Sequence, residues 1–146
     1  MIVEFTVAGE PQSKGRPKFA KRGNYAVAYT PEKTAIYENL IKLEYERQCP
    51  NKRFGDKDAL TMVIQAFFKM PISTPKHKHA GMMDGTIRPV KKPDWDNIGK
   101  IVADSLNGIA YRDDSQIATA IVEKYYDDDP RLMVWLFDDA IGRFTA

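Results

Sequence analysis

The chain has 146 residues, with 22 Lys and Arg against 20 Asp and Glu, and 43% of its residues are hydrophobic. That length fits a single domain, residues 1–146, and the hydrophobic share is enough to bury a core, which excludes disorder of the whole chain. No apolar run approaches the ~18–20 residues needed to cross a bilayer, and the lone Cys49 excludes an internal disulfide and a cysteine-type zinc site. The first residues, MIVEFTVAGE, lack a signal-peptide pattern, so a cytosolic or nucleoid location is expected. The net charge of +2 conceals an asymmetry. Residues 1–92 hold 17 Lys/Arg and 9 Asp/Glu, a net of +8, whereas residues 93–146 hold 5 and 11, a net of −6.

Residues 2–8 alternate Val3, Phe5 and Val7 with Glu4 and Thr6, the period of a half-buried strand. Residues 9–29 show no clear period and carry Lys14, Arg16, Lys18, Lys21 and Arg22. They read as a long basic loop, either a solvated connection or a phosphate-contacting arm, and Phe19, Tyr25 and Tyr29 among the cations favour nucleic acid because aromatic rings stack on bases. Thr30-Pro31-Glu32 opens a helix over 31–48, whose Ile36, Leu40 and Leu43, flanked by Tyr37 and Ile41, form a stripe for the core or for a dimer face. A second strand spans roughly 59–69. Residues 70–92 are broken by Pro71, Pro75, Gly81, Gly85 and Pro89 and read as a second basic loop, in which His77 and His79 are solvated.

The helical period returns over 94–107 in Trp95, Ile98, Ile101, Val102 and Leu106, and Asn107-Gly108 supplies the stop. Strands over 116–126 and 132–137, joined by the acidic turn Asp127-Asp128-Asp129-Pro130, are expected to pair as an antiparallel hairpin. The order β-α-β-α-β-β makes an α+β fold, a small mixed sheet covered by two helices.

With two histidines in one short segment and no thiol pair, carboxylates and lysines must carry any chemistry. Asp94 and Asp96 lie where extended chain turns into helix, and Asp94 is a natural N-cap. Lys100 and Asp104 follow Asp96 at i+4 steps, which also suits a surface salt-bridge ladder. Asp113 and Asp114 read by themselves as turn residues, yet the short connection from the second helix brings one of them back toward its first turn. Three carboxylates gathered there need a cation, and hard oxygen ligands select Mg²⁺, with Mn²⁺ a possible substitute. A calcium EF-hand counted from Asp94 fails, because Ile98 and Ser105 stand where ligands are required. Carboxylate-held Mg²⁺ beside basic loops suits phosphodiester hydrolysis, with Lys100 placed to stabilise developing charge.

The run KKPDWDNIGKIVADSLNGIAYRDDSQI, residues 91–117, resembles the RusA family of Holliday junction resolvases, whose signature is a basic run, Asp-x-Asp-Asn, a lysine four residues on, and a later Asp-Asp-Ser/Ala-Gln segment. GRPK in the first loop is similar to the family's Gly-Arg-Pro-basic element. The resemblance implies a RusA-like fold, with Asp94, Asp96 and Asp114 as metal-binding catalytic carboxylates, Lys100 as the catalytic lysine, and Lys91 and Lys92 in the junction-binding run. It also implies a homodimer nicking a four-way DNA junction symmetrically to leave 5′-phosphates, in recombination and repair, from a bacterial or phage gene. Pro93 and the long 70–90 segment depart from the pattern and touch the junction contacts. Nucleases of forks or flaps, and a DNA-binding protein with a structural metal site, are the other readings.

Overall fold

The computed structural model describes residues 1–138. In chain order it forms β1 (Ile2–Ala8), β2 (Lys18–Arg22), β3 (Tyr25–Tyr29), α1 (Glu32–Gln48), β4 (Leu60–Lys69), α2 (Lys76–Met83), α3 (Trp95–Ser105), β5 (Ile117–Asp127) and β6 (Arg131–Phe137), with one 3₁₀ turn over Asp114–Gln116. The expected α+β architecture and mixed sheet are present, and α1 and α3 lie on one face of it.

Alternation puts Val3, Phe5 and Val7 of β1, Met62, Ile64, Ala66 and Phe68 of β4, and Leu132, Val134 and Leu136 of β6 on the covered face, all buried. Tyr37, Ile41 and Tyr45 of α1 and Ile98, Ile101 and Val102 of α3 fill the space above them. The stripe of α1 is therefore rotated from the expected one, for Ile36 and Leu43 are 61% and 59% exposed. The aromatic positions win because the large rings reach the sheet, as in the edge contact of Phe5 with Tyr45 at 5.4 Å between centroids. At the end of α1, Gln48 exchanges hydrogen bonds with the Thr6 backbone, accepting from its N–H (2.9 Å) and donating to its carbonyl (2.7 Å). Cys49 is buried beside it, its thiol donating to the Glu4 carbonyl at 3.3 Å.

The strand order β1-β6-β4-β5 corrects the expected hairpin between the last two strands: β4 lies between them, parallel to β5 and antiparallel to β6. β4, fully apolar on its covered face and carrying Val63 and Phe67 among polar residues on the other, takes the centre, and α3 lies in the crossover that makes β5 parallel to it. The acidic turn survives in a different role, spanning the end of β4, with Arg131 donating to the Asp127 carboxylate and the Asp129 carbonyl.

Both basic loops contain structure. Residues 18–29 form a separate two-stranded hairpin, turning at Gly23-Asn24 with Gly23 at φ 63°. A two-residue Gly-Asn link between short runs is a hairpin signal that composition alone obscures. The second loop holds α2, which buries only Met82 and so leaves little helical periodicity.

The chain leading into the hairpin is fixed. Lys14 N–H donates to the Asn97 carbonyl of α3 at 3.1 Å, and Gly15 N–H donates to Oγ1 of buried Thr34 of α1 at 3.1 Å. A Cβ at Gly15 would stand 2.6 Å from that hydroxyl and 3.3 Å from Cγ of Pro31. Gly15→Ala should therefore destabilise the fold by about 1–3 kcal/mol, read as a lower urea midpoint with unchanged slope.

Candidate active site

One face of α3 is sealed into the core at Ile98, Ile101, Val102 and Ser105, so its other positions look outward along edge strand β5. Trp95, which shares the helical period of Ile98, Ile101 and Val102, is 66% exposed. Between α3 and β5 lies a groove of about 270 Å³ walled by Met62, Gly99, Ala103, Ile117, Ala120 and Val122, and lined also by Trp95, Asp96, Lys100 and Asp114. A second hollow of about 650 Å³ is lined by Val90, Lys91, Lys92, Asp94, Trp95, Asp96 and Lys124. Trp95 and Asp96 line both.

Asp94 occupies the N-cap position with extended backbone, but its side chain makes no capping hydrogen bond. That carboxylate is not spent on the helix. The helix also disposes of the EF-hand alternative, because Trp95–Ser105 is regular α-helix where a calcium loop would be needed. Lys100 is exposed and, among the described residues, forms no salt bridge with Asp96 or Asp104. The salt-bridge ladder is thus absent, and the ammonium faces the groove uncommitted.

Adjacent aspartates after α3 divide their roles through the 3₁₀ turn. Asp113 caps it, accepting from Ser115 N–H at 3.0 Å, while Gln116 Oε1 accepts from the Asp113 and Arg112 N–H groups and Gln116 Nε2 donates to the Gly55 and Asp58 carbonyls. The bond from Ser115 holds the Asp113 carboxyl below its ordinary pKa. Asp114, half-buried, turns to the groove, its N–H donating to Asn107 Oδ1 at 2.7 Å. Burial raises its pKa, and the neighbouring Asp104 and Asp113 carboxylates raise it further.

Asp104 is the neighbour that the sequence pattern did not assign. It sits beside Asp114 and 3.4 Å from Lys14, whose ammonium also donates to Glu38 at 2.8 Å. Burial pulls the Lys14 pKa down, but the two carboxylates outweigh it and the pKa ends above the ordinary lysine value. Lys14, expected at DNA, thus faces inward and ties α1 to α3. A Tyr111 hydroxyl donating to the Ala103 carbonyl at 2.6 Å closes the same corner.

Among the described residues no three metal-ligating side chains are gathered into a ready coordination sphere. Asp96 and Asp114 share one groove and Asp94 and Asp96 the other. The donor set nevertheless fits a hard divalent cation: the ionisable ligands are carboxylates, with mutual repulsion around Asp114 and no thiolate or imidazole lining either groove. His77 and His79 stand apart on α2, exposed, with His79 Nε2 at 3.2 Å from the Thr74 carbonyl. Arg16, Lys18, Lys21, Arg22, Lys91 and Lys92 are exposed and make no salt bridge among the described residues. Lys124, which the sequence did not single out, joins Lys91 and Lys92 by donating to the Lys91 carbonyl at 2.6 Å.

The sequence profile of the endodeoxyribonuclease RusA family matches residues 8–136. A Bacillus subtilis (strain 168) protein described as the uncharacterized protein YqaN is 32% identical over 136 residues, covering 92% of this chain and 94% of its own. No helix among the described residues is long and apolar enough to cross a membrane.

A carboxyl whose pKa is raised by folding binds its proton more tightly folded than unfolded. Stability therefore falls as pH rises from the unfolded carboxylate value, about 3.9, through the raised one, and at neutral pH the ionised Asp114 is a net cost. Asp114→Asn should melt about 1–3 °C higher than wild type at pH 7 in chelator, with the gap closing below about pH 4; scanning calorimetry across pH checks both.

Proposed function

Because the chain belongs to the endodeoxyribonuclease RusA family, we propose that it resolves four-way DNA junctions by divalent-metal-dependent phosphodiester hydrolysis, in recombination and repair. The observation that carries this reading is the joining of Asp96, Lys100 and Asp114 in one groove, with Asp94, Lys91 and Lys92 in the hollow that shares Asp96. Asp94, Asp96 and Asp114 are the residues that would hold Mg²⁺, or Mn²⁺ in its place. When bound, such an ion polarises a phosphoryl oxygen and lowers the pKa of water to supply hydroxide.

The protein's own groups do the rest. Lys100 Nζ stabilises negative charge that builds on the phosphoryl or leaving oxygen. Lys91 and Lys92 hold the phosphates flanking the cut, and Arg16, Lys18, Lys21 and Arg22 add sequence-independent affinity farther out. Register places Lys18, Arg22, Tyr25, Val27 and Tyr29 on one face of the hairpin, a stacking surface edged by cations. Lys14 is a positioning residue, fixing Asp104 beside Asp114. Asp94→Asn should lower the rate of junction cleavage by about 100-fold or more while binding is retained, measured on a labelled synthetic four-way junction with linear duplex as control. Undiminished cutting would overturn the site.

A four-way junction has a two-fold axis, so paired nicks call for a homodimer. Expectation pointed to α1, but the sheet face opposite α1 and α3, where α2 covers only the part around Phe67 and Tyr125, also carries large apolar side chains. There Val63, Phe67, Met133, Trp135 and Phe137 are half-exposed, and register makes Trp135 and Val63 neighbours. A contiguous patch of half-exposed aromatic and aliphatic side chains is the kind of surface that a second copy covers. Trp135→Glu should convert the dimer to a folded monomer in light scattering, while Leu43→Glu leaves the dimer intact; the reverse pattern would move the interface to α1.

A further inference from the structure

The groove between α3 and β5 has a composition that phosphodiester hydrolysis does not require. A site for phosphate and cation needs hydrated, charged walls, whereas this one is floored by Met62, Ile117 and Val122 and narrowed by the small residues Gly99, Ala103 and Ala120. Its volume of about 270 Å³ leaves room for a nucleobase. Asp96, Lys100 and Asp114 also line it, so its occupant lies beside the reacting phosphate. An exposed indole borders it too. Trp95 is 66% exposed between two candidate ligand carboxylates, and leaving so large an apolar ring in water is unfavourable unless something covers it.

We propose that this groove receives an unstacked nucleobase of the strand being cut, next to the scissile phosphate, with Trp95 as the stacking surface. Stacking on an aromatic side chain is the sequence-tolerant way to hold a splayed base. A branch point supplies such bases at lower cost than a continuous duplex, because pairing and stacking are already interrupted there. Charge complementarity sets the polarity of entry: Lys91, Lys92 and Lys124 on the far side of Trp95 attract the backbone while the base turns into the apolar side. Gly99 keeps the space open, since a Cβ there would already reach 3.5 Å from Cγ2 of Val122 and any longer side chain would extend into the groove. The inference rests on the nuclease reading for the identity of the strand, and its first test needs no cleavage.

The chain has two tryptophans, so Trp135→Phe leaves Trp95 as the single indole reporter. In chelator, a synthetic four-way junction should quench its fluorescence, and linear duplex of the same sequence should do so much less. Ala120→Leu, which fills the groove from an exposed position of an edge strand, should abolish that quench even at protein concentrations where a gel shift shows the junction fully bound. With Mg²⁺ added, an abasic nucleotide beside the cleaved phosphate should slow wild type about tenfold or more, as expected for loss of a stacked base. The same substitution should leave Trp95→Ala indifferent, and Trp95→Phe should restore the sensitivity. Equal quenching by junction and duplex, an unchanged quench in Ala120→Leu, or abasic DNA cut at the normal rate would overturn the proposal. A wild type that quenches selectively but cuts nothing would overturn the nuclease reading and leave the base site standing.

Discussion

The arrangement of the site depends on the burial of one face of α3. Ile98, Ile101 and Val102 have no exposed surface, and at about 1.5–3 kcal/mol each they fix the rotation of the helix about its axis. Once that rotation is set, Trp95, Asp96, Gly99, Lys100 and Ala103 must look along β5, because they lie on the remaining arc of a 3.6-residue turn. The Lys14 N–H bond to the Asn97 carbonyl then clamps the first loop to the same helix, one residue past Asp96. Two distant parts of the sequence meet there, the Gly-Arg-Pro-Lys element and the Asp-Trp-Asp-Asn element. Gly15 allows it, since a side chain would collide with Thr34.

Electrostatics at this corner is deliberately unbalanced only where hydrogen bonds do not intervene. Asp113 is satisfied by the 3₁₀ turn it caps, and Asp104 by Lys14. Asp114, one residue from Asp113, receives the repulsion of both, with Asn107 the only group that lowers its pKa. The same Asp-Asp pair thus yields one structural and one groove-facing carboxylate because successive residues in a tight turn point in different directions. A divalent cation in the groove would relieve this imbalance, which is the physical link between the repulsion around Asp114 and a catalytic role.

Much of this was legible in the sequence. The alternation of Val3, Phe5 and Val7 gave β1, and the spacing of Ile98, Ile101 and Val102 gave the core face of α3. The pattern of Asp96, Lys100 and Asp114 marked the groove, and Asp94 the hollow that adjoins it. What stayed hidden was decided by long-range partners. Lys14 reads as one more cation in a basic run until Glu38 and Asp104 are seen facing it. Trp95 fits the helical period as well as any core residue, yet it lies at the first position of α3, where the helix has already left the core. Insertion of β4 between β5 and β6 is settled by long-range strand pairing, which the short acidic turn does not encode.

Pairing also sharpens the charge asymmetry between the two parts of the chain. In the basic segment Lys14 is taken by Glu38 and Asp104, Arg47 by Glu44 and Arg53 by Asp56. In the acidic segment Asp127 is taken by Arg131, Asp138 by the N-terminal amine and Asp113 by its turn, while Asp139 lies outside the described residues. Once these are set aside, the uncommitted cations that remain near the site are those of the hairpin and Lys91, Lys92 and Lys100. Among the described residues lining the groove and hollow, the anions without a salt bridge are Asp94, Asp96 and Asp114. Lys91, Lys92, Asp94 and Asp96 line one hollow and Asp96, Lys100 and Asp114 the adjoining groove, with no salt bridge among them. A chain that kept these charges apart without a ligand would sacrifice stability for nothing. A polyanion bridged to carboxylates by a divalent cation satisfies both sets at once, and that is the chemical form of a phosphodiester at a nuclease centre.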